Sequence, residues 1–422
     1  MSRSSDAPKS DGAVKPDGAI PFGEFVTLIA LMMAMTALAI DIMLPALPNI
    51  AQVFDIVEPN DRQLLVTTYM LGFAVGQPLS GPLSDRFGRK PVLYVGLLLY
   101  AVGSLGALAG AGFEVLLWSR ALQGLGAAAP RIMAIAIVRD RFGGRDMARV
   151  MSLVMMVFII VPVLAPAIGE AILHFGPWSW IFWFLLVVSL IVLLWTALRL
   201  PETLPSGDRL PLSATALGAA ITTTVKSRPT LGYTVAVGFM FGSLMSYIGS
   251  AQQIFVDIYQ MGELFPLAFG AIAAFMALAS FTNARLVGQL GMRRVSHAAL
   301  LGFLLSCGLM ALAGFPEKPP LFAFCAFLAA AFFFFGLMAP NFNALAMEPL
   351  GHIAGVASSF VGFYATAASA FFGWIVGQEF DGTVRPLAIG FTVMAVLALF
   401  TVLWTERGRL FTSRDMPARG SR

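Results

Sequence analysis

The sequence predicts an all-α polytopic membrane protein, with twelve transmembrane helices in two pseudo-symmetric six-helix bundles. Three observations carry this. Of 422 residues, 58% are hydrophobic and only 12% charged, about half the charged share of an ordinary soluble domain. Apolar runs of roughly 20 residues recur along the whole chain, the length that crosses a hydrocarbon slab about 30 Å thick as a helix. Finally, a polar stretch at 200–229 separates halves of similar length that echo one another. In lipid every backbone N–H and C=O must be satisfied internally, so such runs must be helices. The alternating ten-residue segments of a membrane β-barrel are absent.

Residues 1–23, rich in Ser, Asp, Lys, Pro and Gly, read as a disordered cytoplasmic tail. Ala37-Leu-Ala39 could pass for a processing site, but the long polar start and Glu24 beside the apolar run favour a retained first span. The spans are expected at 24–46, 62–82, 91–111, 114–138, 148–170 and 178–199, then 230–254, 264–284, 295–315, 320–346, 353–377 and 386–406. This gives an N-terminal bundle over 24–199, a cytoplasmic central loop over 200–229, a C-terminal bundle over 230–406 and a cytoplasmic tail over 407–422.

Lysine and arginine collect in cytoplasmic loops. With the N-terminus inside, 22 of the 27 basic residues fall on inner segments and only Arg62, Lys318 and Arg385 on outer ones. Both termini are therefore expected in the cytoplasm. Trp178, Trp180 and Trp183 cluster at an expected outer edge, as an interfacial belt would.

The densest polar signature is Gly81-Pro-Leu-Ser-Asp85-Arg86-Phe-Gly88-Arg89-Lys90, between the second and third spans. A shift of 203 residues places Leu83 on Leu286, Gly88 on Gly291 and Lys90 on Arg293, while Asp85 meets Gly288, so the second copy lacks the acid. Repeats of this kind build many transporter folds, with the site at their interface.

Charges inside spans are costly and mark function. Asp41 and Arg120 lie in the outer halves of spans 1 and 4, at similar depth, so an ion pair between them is expected. Burial and a nearby cation act on a carboxyl in opposite senses. A carboxyl balanced between them can exchange a proton as its access changes; the other readings are a structural pair that never titrates, or an Asp at the membrane edge facing water. Arg131 lies eleven residues beyond Arg120, three turns plus about 20°, so the two share a face with Gln123, Gly124 and Ala127. Arg131 either contacts substrate or reaches the cytoplasmic interface.

In the second half Tyr247, Gln252 and Gln253 on span 7, with Asn341 and Asn343 on span 10, suit an uncharged or weakly polar ligand. Phe332 to Phe335 line that cavity or pack the core. Pro162, Pro166 and Gly169 share one face of span 5, making a bent, small-residue surface. Gly72, Gly76 and Ser80 on span 2, and Gly355, Ser359, Gly362, Thr366 and Ala370 on span 11, have the spacing of close helix packing. If those faces oppose one another, they form a sliding seam between the halves.

Cys307 and Cys325 lie within apolar runs and read as buried small residues, and His174, His297 and His352 are scattered near span ends. No metal site is expected. The net charge of +4 follows from topology and does not point to nucleic acid. No phosphate-binding loop, HExxH or nucleophile constellation is present, so an enzyme is not expected.

Four motifs resemble a known family. The Gly81–Lys90 stretch resembles the signature loop of the major facilitator superfamily. Arg120-Ala-Leu-Gln123-Gly124-Leu-Gly126 and Pro162-Val-Leu-Ala-Pro166-Ala-Ile-Gly169 resemble the span-4 and span-5 motifs of its drug–proton antiporters, and Asp41-Ile-Met-Leu-Pro45-Ala-Leu-Pro48 is similar to the first helix of the bicyclomycin- and chloramphenicol-type exporters. The resemblance covers residues 20–406 and implies two bundles rocking about a cavity lined by spans 1, 4, 7 and 10. It implies proton coupling by Asp41 and Arg120, and a gating loop of Gly81, Asp85, Arg86, Gly88 and Arg89 in which Asp85 and Arg86 latch the halves in the outward-facing state, with Asp85 near the cytoplasmic start of span 11. It also implies a bacterial inner-membrane exporter of small, largely apolar drugs, acting as a monomer with the proton gradient as energy source and no cofactor. Gly169-Glu170 departs from the pattern, which often has a second glycine there, and Glu170 is expected at the outer mouth. Transport of a defined metabolite, or a receptor that keeps the fold without transport, are the alternatives.

Overall fold

The computed structural model describes residues 20–209, 214–312 and 318–411. The ends of both expected tails lie outside the described residues, with Arg3, Lys9, Lys15, Arg414, Arg419 and Arg422. Among the described residues there is no strand and there are twelve long helices. They are α1 Phe22–Asp41, α2 Leu64–Phe87, α3 Arg89–Leu108, α4 Phe113–Arg141, α5 Gly144–Phe175, α6 Ser179–Arg199, α7 Arg228–Gln252, α8 Phe265–Leu290, α9 Met292–Leu312, α10 Leu321–Met347, α11 Ala354–Gln378 and α12 Arg385–Thr405. The central stretch, expected as a loop, holds a further helix, Ala214–Lys226.

Eleven helical stretches among the described residues are long and apolar enough to cross a membrane. The exception is α2, whose 24 residues suffice in length but include Thr67, Thr68, Gln77 and Ser80. Thr67, Thr68 and Ser80 bond the carbonyl four residues before each, and buried Gln77 bonds Thr366 of α11, so these polar side chains dilute the hydropathy of α2 while staying hydrogen-bonded.

Within the first half α4 packs against α2 and α3, α3 against α6, and α1 against α5; within the second, α7 packs against α11, α12 and α10, and α9 against α10. The halves meet along two seams, α2 with α11 and α5 with α8. The α2–α11 seam is present, but Gly72 and Gly76 do not form it. A Cβ at Gly72 would lie 1.9 Å from the Ala121 carbonyl oxygen, and one at Gly76 2.6 Å from that of Leu125, so both face α4. The seam uses a different stripe of α2. Gln77 Nε2 donates to Thr366 Oγ1 at 2.7 Å, and Gly81 lies against Ser359. Residues 72 and 77 are about 140° apart around a helix, which is why one stripe cannot serve both neighbours.

Both halves carry the same ionic device at the face where residues 20 and 411 lie. Arg89, at the start of α3, donates Nε to Asp140 Oδ2 at 2.8 Å, while Glu202 beyond α6 accepts the backbone N–H groups of Arg89 and Lys90. Arg293, near the start of α9, donates to Glu348 Oε2 at 2.7 Å and to Glu406 Oε1, beyond α12, at 3.3 Å. The two copies thus equate Arg89 with Arg293. The 203-residue shift, which equates Lys90 with Arg293, is one residue out after the paired helix-ending glycines. Gly88 and Gly291, with φ of 103° and 81°, end α2 and α8 in a conformation that L side chains avoid.

Trp180 and Trp183 are about half exposed, while Trp178 packs on Phe54 and Phe182. Both cysteines are free thiols, Cys307 buried and Cys325 half-buried. Phe332 and Phe335 are buried and meet edge to face within the core of the second half.

Candidate functional site

Asp41 is the last residue of α1. Beyond it Pro45 and Pro48 remove two backbone donors, and the chain tightens into a 3₁₀ turn at Leu44–Ala46 before resuming as Leu47–Val53. The carboxylate therefore sits at a helix break inside a continuous apolar stretch, Phe22–Val53. Asp41 is 3% exposed. Among the described residues no ion pair or hydrogen bond reaches its carboxylate.

The expected pair with Arg120 is not formed. Arg120 is fully buried, and its donors go elsewhere: Nη2 to the Ala39 carbonyl at 3.0 Å, Nε to the Leu65 carbonyl at 3.1 Å and Nη1 to Gln123 Oε1 at 2.5 Å. The physical reason lies in α1. Ala39 is in its last turn, where carbonyls lose intrahelical partners and the helix dipole favours a cation. Arg120 thus caps the helix that ends in Asp41. Its guanidinium lies 4.5 Å from the centre of the Tyr69 ring, and Gln123 passes the network on to Ser104 Oγ at 2.8 Å.

The proline–glycine face of α5 buttresses the same break. Pro162 and Pro166 lie inside one uninterrupted helix, and Gly169 is so close that a Cβ there would meet the Ile42 carbonyl oxygen at 2.3 Å. Arg131, three turns along α4, is half-buried and within electrostatic reach of Tyr69.

Tyr247 faces this region from α7. Its ring stacks on Phe269 and packs on Phe332, at 5.4 and 4.9 Å. It is 3% exposed, its hydroxyl has no hydrogen-bond partner, and Asp41 lies within electrostatic reach. The turn after Asp41 packs against α7. Asn341 is not offered to a cavity: its amide donates to Asn283 Oδ1 and to the Leu337 carbonyl, both at 2.7 Å, joining α10 to α8.

Gln252 and Gln253 belong to a closure between the halves at the face remote from the termini. Gln253 Nε2 donates to Asn60 Oδ1 at 2.8 Å, and Gln253 Oε1 accepts from Gln63 Nε2. Gln63 also donates to the Gly377 carbonyl at 3.1 Å. Asn60 Nδ2 donates to the carbonyls of Gln378 and Phe380, each at 2.9 Å. Arg62 pairs with Asp257, and Gln252 Nε2 donates to Asp257 Oδ1 at 3.3 Å. Asn60, Arg62 and Gln63 were not legible as site residues; their only signal is a polar run immediately before an apolar span.

At the opposite face the signature loop is tied within its own half. Arg89 Nη1 donates to Asp85 Oδ1 at 2.6 Å and to Ser84 Oγ at 2.8 Å, and Arg86 is exposed. Asp85 is thus bonded to Arg89, and among the described residues no bond joins it to α11. Glu170 lines a cleft of about 670 Å³ between α5 and α8 with His174 and Glu263. Neither this cleft nor the larger one beside α12 lies between α1, α4, α7 and α10.

Residues 29–373 match the family model described as Major Facilitator Superfamily. The chain belongs to that superfamily. Among its relatives, an uncharacterized MFS-type transporter of Bacillus subtilis, YdgK, is 30% identical over 388 residues, 89% of this chain and 95% of its own. A bicyclomycin resistance protein homolog of Haemophilus influenzae is 28% identical over 94% of this chain and 98% of its own. The multidrug resistance protein MdtL of Shigella dysenteriae is 25% identical over 88% and 92%. The fold is also that of the xylose transporter XylE of E. coli, with a TM-score of 0.71 and 13% identity over 94% of this chain and 99% of that one. The human organic anion transporter MFSD10 gives 0.69 and 19% over 92% and 100%. This superfamily member is therefore a multi-pass membrane transporter of small molecules and not an enzyme.

Proposed function

We propose that this protein is a proton-coupled antiporter that exports small, largely apolar drugs across the bacterial cytoplasmic membrane by alternating access, with both termini in the cytoplasm. Asp41 carries the reading. It is buried at the break of α1 with no ion pair or hydrogen bond among the described residues, so taking up or releasing a proton there disrupts no salt bridge. Arg120, by capping α1, holds that break in place rather than neutralising the carboxylate. The surroundings contributed by the second half are aromatic, with the Tyr247 ring packed on Phe269 and Phe332 and within electrostatic reach of Asp41. This suits apolar cargo, and relatives named for bicyclomycin and multidrug resistance support the same class.

In this scheme the hydrogen-bonded closure of Asn60, Gln63 and Gln253 is the outer gate, shut in the conformation described. Substrate and proton compete for Asp41, and the membrane potential contributes about 2.3 kcal/mol per charge per 100 mV. The test is drug flux in inverted membrane vesicles with and without a protonophore. Wild-type flux should collapse with the protonophore, and Asp41→Asn should fold normally but lose gradient-driven flux. Full flux by Asp41→Asn would overturn the proposal.

A further inference from the structure

The largest cleft described, about 780 Å³, runs down the outside of the second half between α9, α11 and α12. Its polar groups are confined to one end. Glu379 closes α11, Arg385 opens α12, and Asp381 lies in the turn between them. Asp381 Oδ1 is occupied by the Thr383 N–H and hydroxyl, at 3.0 and 2.7 Å. Glu379 and Arg385 are exposed and have no ion pair among the described residues. Below this mouth the walls are apolar, from Ile375 on α11 and from Ile389, Val393 and Leu397 on α12. Gly390 lies so close to Val376 that a Cβ would stand 2.6 Å from its Cγ2, which shuts the groove floor against α11.

The dimensions fit one class of occupant. Residues 385 to 397 cover about 18 Å of helix, close to the ~15 Å of a single leaflet. The groove therefore takes an acyl chain with its headgroup beside the charged turn. A carboxylate and a guanidinium at one end of the same cleft complement a zwitterion whose cation donates hydrogen bonds and whose anion accepts a guanidinium fork. A primary-amine phospholipid supplies both. A choline headgroup has no N–H to give Glu379, and a glycerol headgroup leaves that carboxylate without a cation. We infer that this groove is a binding site for a phospholipid with a primary-amine headgroup, the ammonium on Glu379 and the phosphate on Arg385.

The experiment uses the full chain in detergent, titrated separately with phosphatidylethanolamine, phosphatidylcholine and phosphatidylglycerol of identical acyl chains, and bound lipid counted by native mass spectrometry. The amine lipid should be retained about threefold better than either of the others, the scale of a solvent-exposed charge pair. The double variant Glu379→Gln/Arg385→Gln should bind all three equally, and Val393→Trp, which fills the groove, should lose all three. A phosphatidylethanolamine with a photoreactive acyl chain should label wild-type peptides within residues 372–397 or containing Met310 and Ala311, which tests the site even if the Trp variant does not fold. Equal retention of the three lipids by wild type, or labelling elsewhere, would overturn the proposal.

Discussion

Arg120 of α4 donates to the carbonyl of Ala39, two residues before Asp41, at 3.0 Å. The basic residue that the motif places beside the acid therefore acts on the backbone that positions it. Arg120→Lys tests this, because an ammonium on a flexible stem cannot reach Ala39, Leu65 and Gln123 together. Leaving buried carbonyls unpaired costs roughly 1–3 kcal/mol each. The variant should lose about 2 kcal/mol or more, read as a lower unfolding midpoint in detergent. A wild-type midpoint would mean that the cap is dispensable.

The contact of α2 with α4 is set by glycine. A Cβ at Gly124 would lie 1.9 Å from the Tyr69 carbonyl oxygen, whereas nothing lies within 4 Å at Gly143. Overpacking typically costs 1–3 kcal/mol, and here the obstacle is backbone. Gly124→Ala should destabilise by about 2 kcal/mol, and Gly143→Ala by far less, when both are compared by thermal unfolding.

Much of the fold was legible because hydropathy in a bilayer is a strong signal. The expected sixth span, 178–199, is the helix Ser179–Arg199, and the eleventh, 353–377, is Ala354–Gln378. What was not legible depends on rotation about helix axes and on partners distant in sequence. The small-residue stripe of α2 turned out to face α4, and the stripe through Gln77 to face α11. The Asp41–Arg120 pair was expected from equal depth, but depth says nothing of which carbonyls compete for the guanidinium. The closure through Asn60 and Gln63 involves partners about 190 to 320 positions away, and no local pattern announces them. The helix Ala214–Lys226 was missed because proline and charge around it read as loop.

The closure should be held more by Gln63 than by the Arg62–Asp257 pair. The Asp257 side chain is 43% exposed, and pairs in contact with solvent contribute about 0–1 kcal/mol. Gln63 is 2% exposed and bonds both Gln253 and the Gly377 carbonyl. Gln63→Ala should therefore shift the conformational equilibrium about tenfold toward opening at this face, and Arg62→Ala several-fold less. The measurement is the rate of maleimide labelling of a cysteine placed at Gly249, which lies beside Gln63. Equal labelling of the two variants would contradict this ranking.

Tyr247 separates a packing role from a functional one. Its ring is held by Phe269 and Phe332, and its hydroxyl, though buried, makes no hydrogen bond. Tyr247→Phe keeps the ring contacts and removes an unsatisfied donor, so stability should change by less than about 1 kcal/mol. The hydroxyl nonetheless lies within electrostatic reach of Asp41, and in the proposed cycle it can donate to the carboxylate or the cargo once the halves move. Flux in vesicles should fall about tenfold, the loss of one hydrogen bond to a charged or bound group. Measuring both quantities on one preparation decides the matter. Unchanged flux with an unchanged unfolding midpoint would remove Tyr247 from the transport site and leave Asp41 to act from the first half alone.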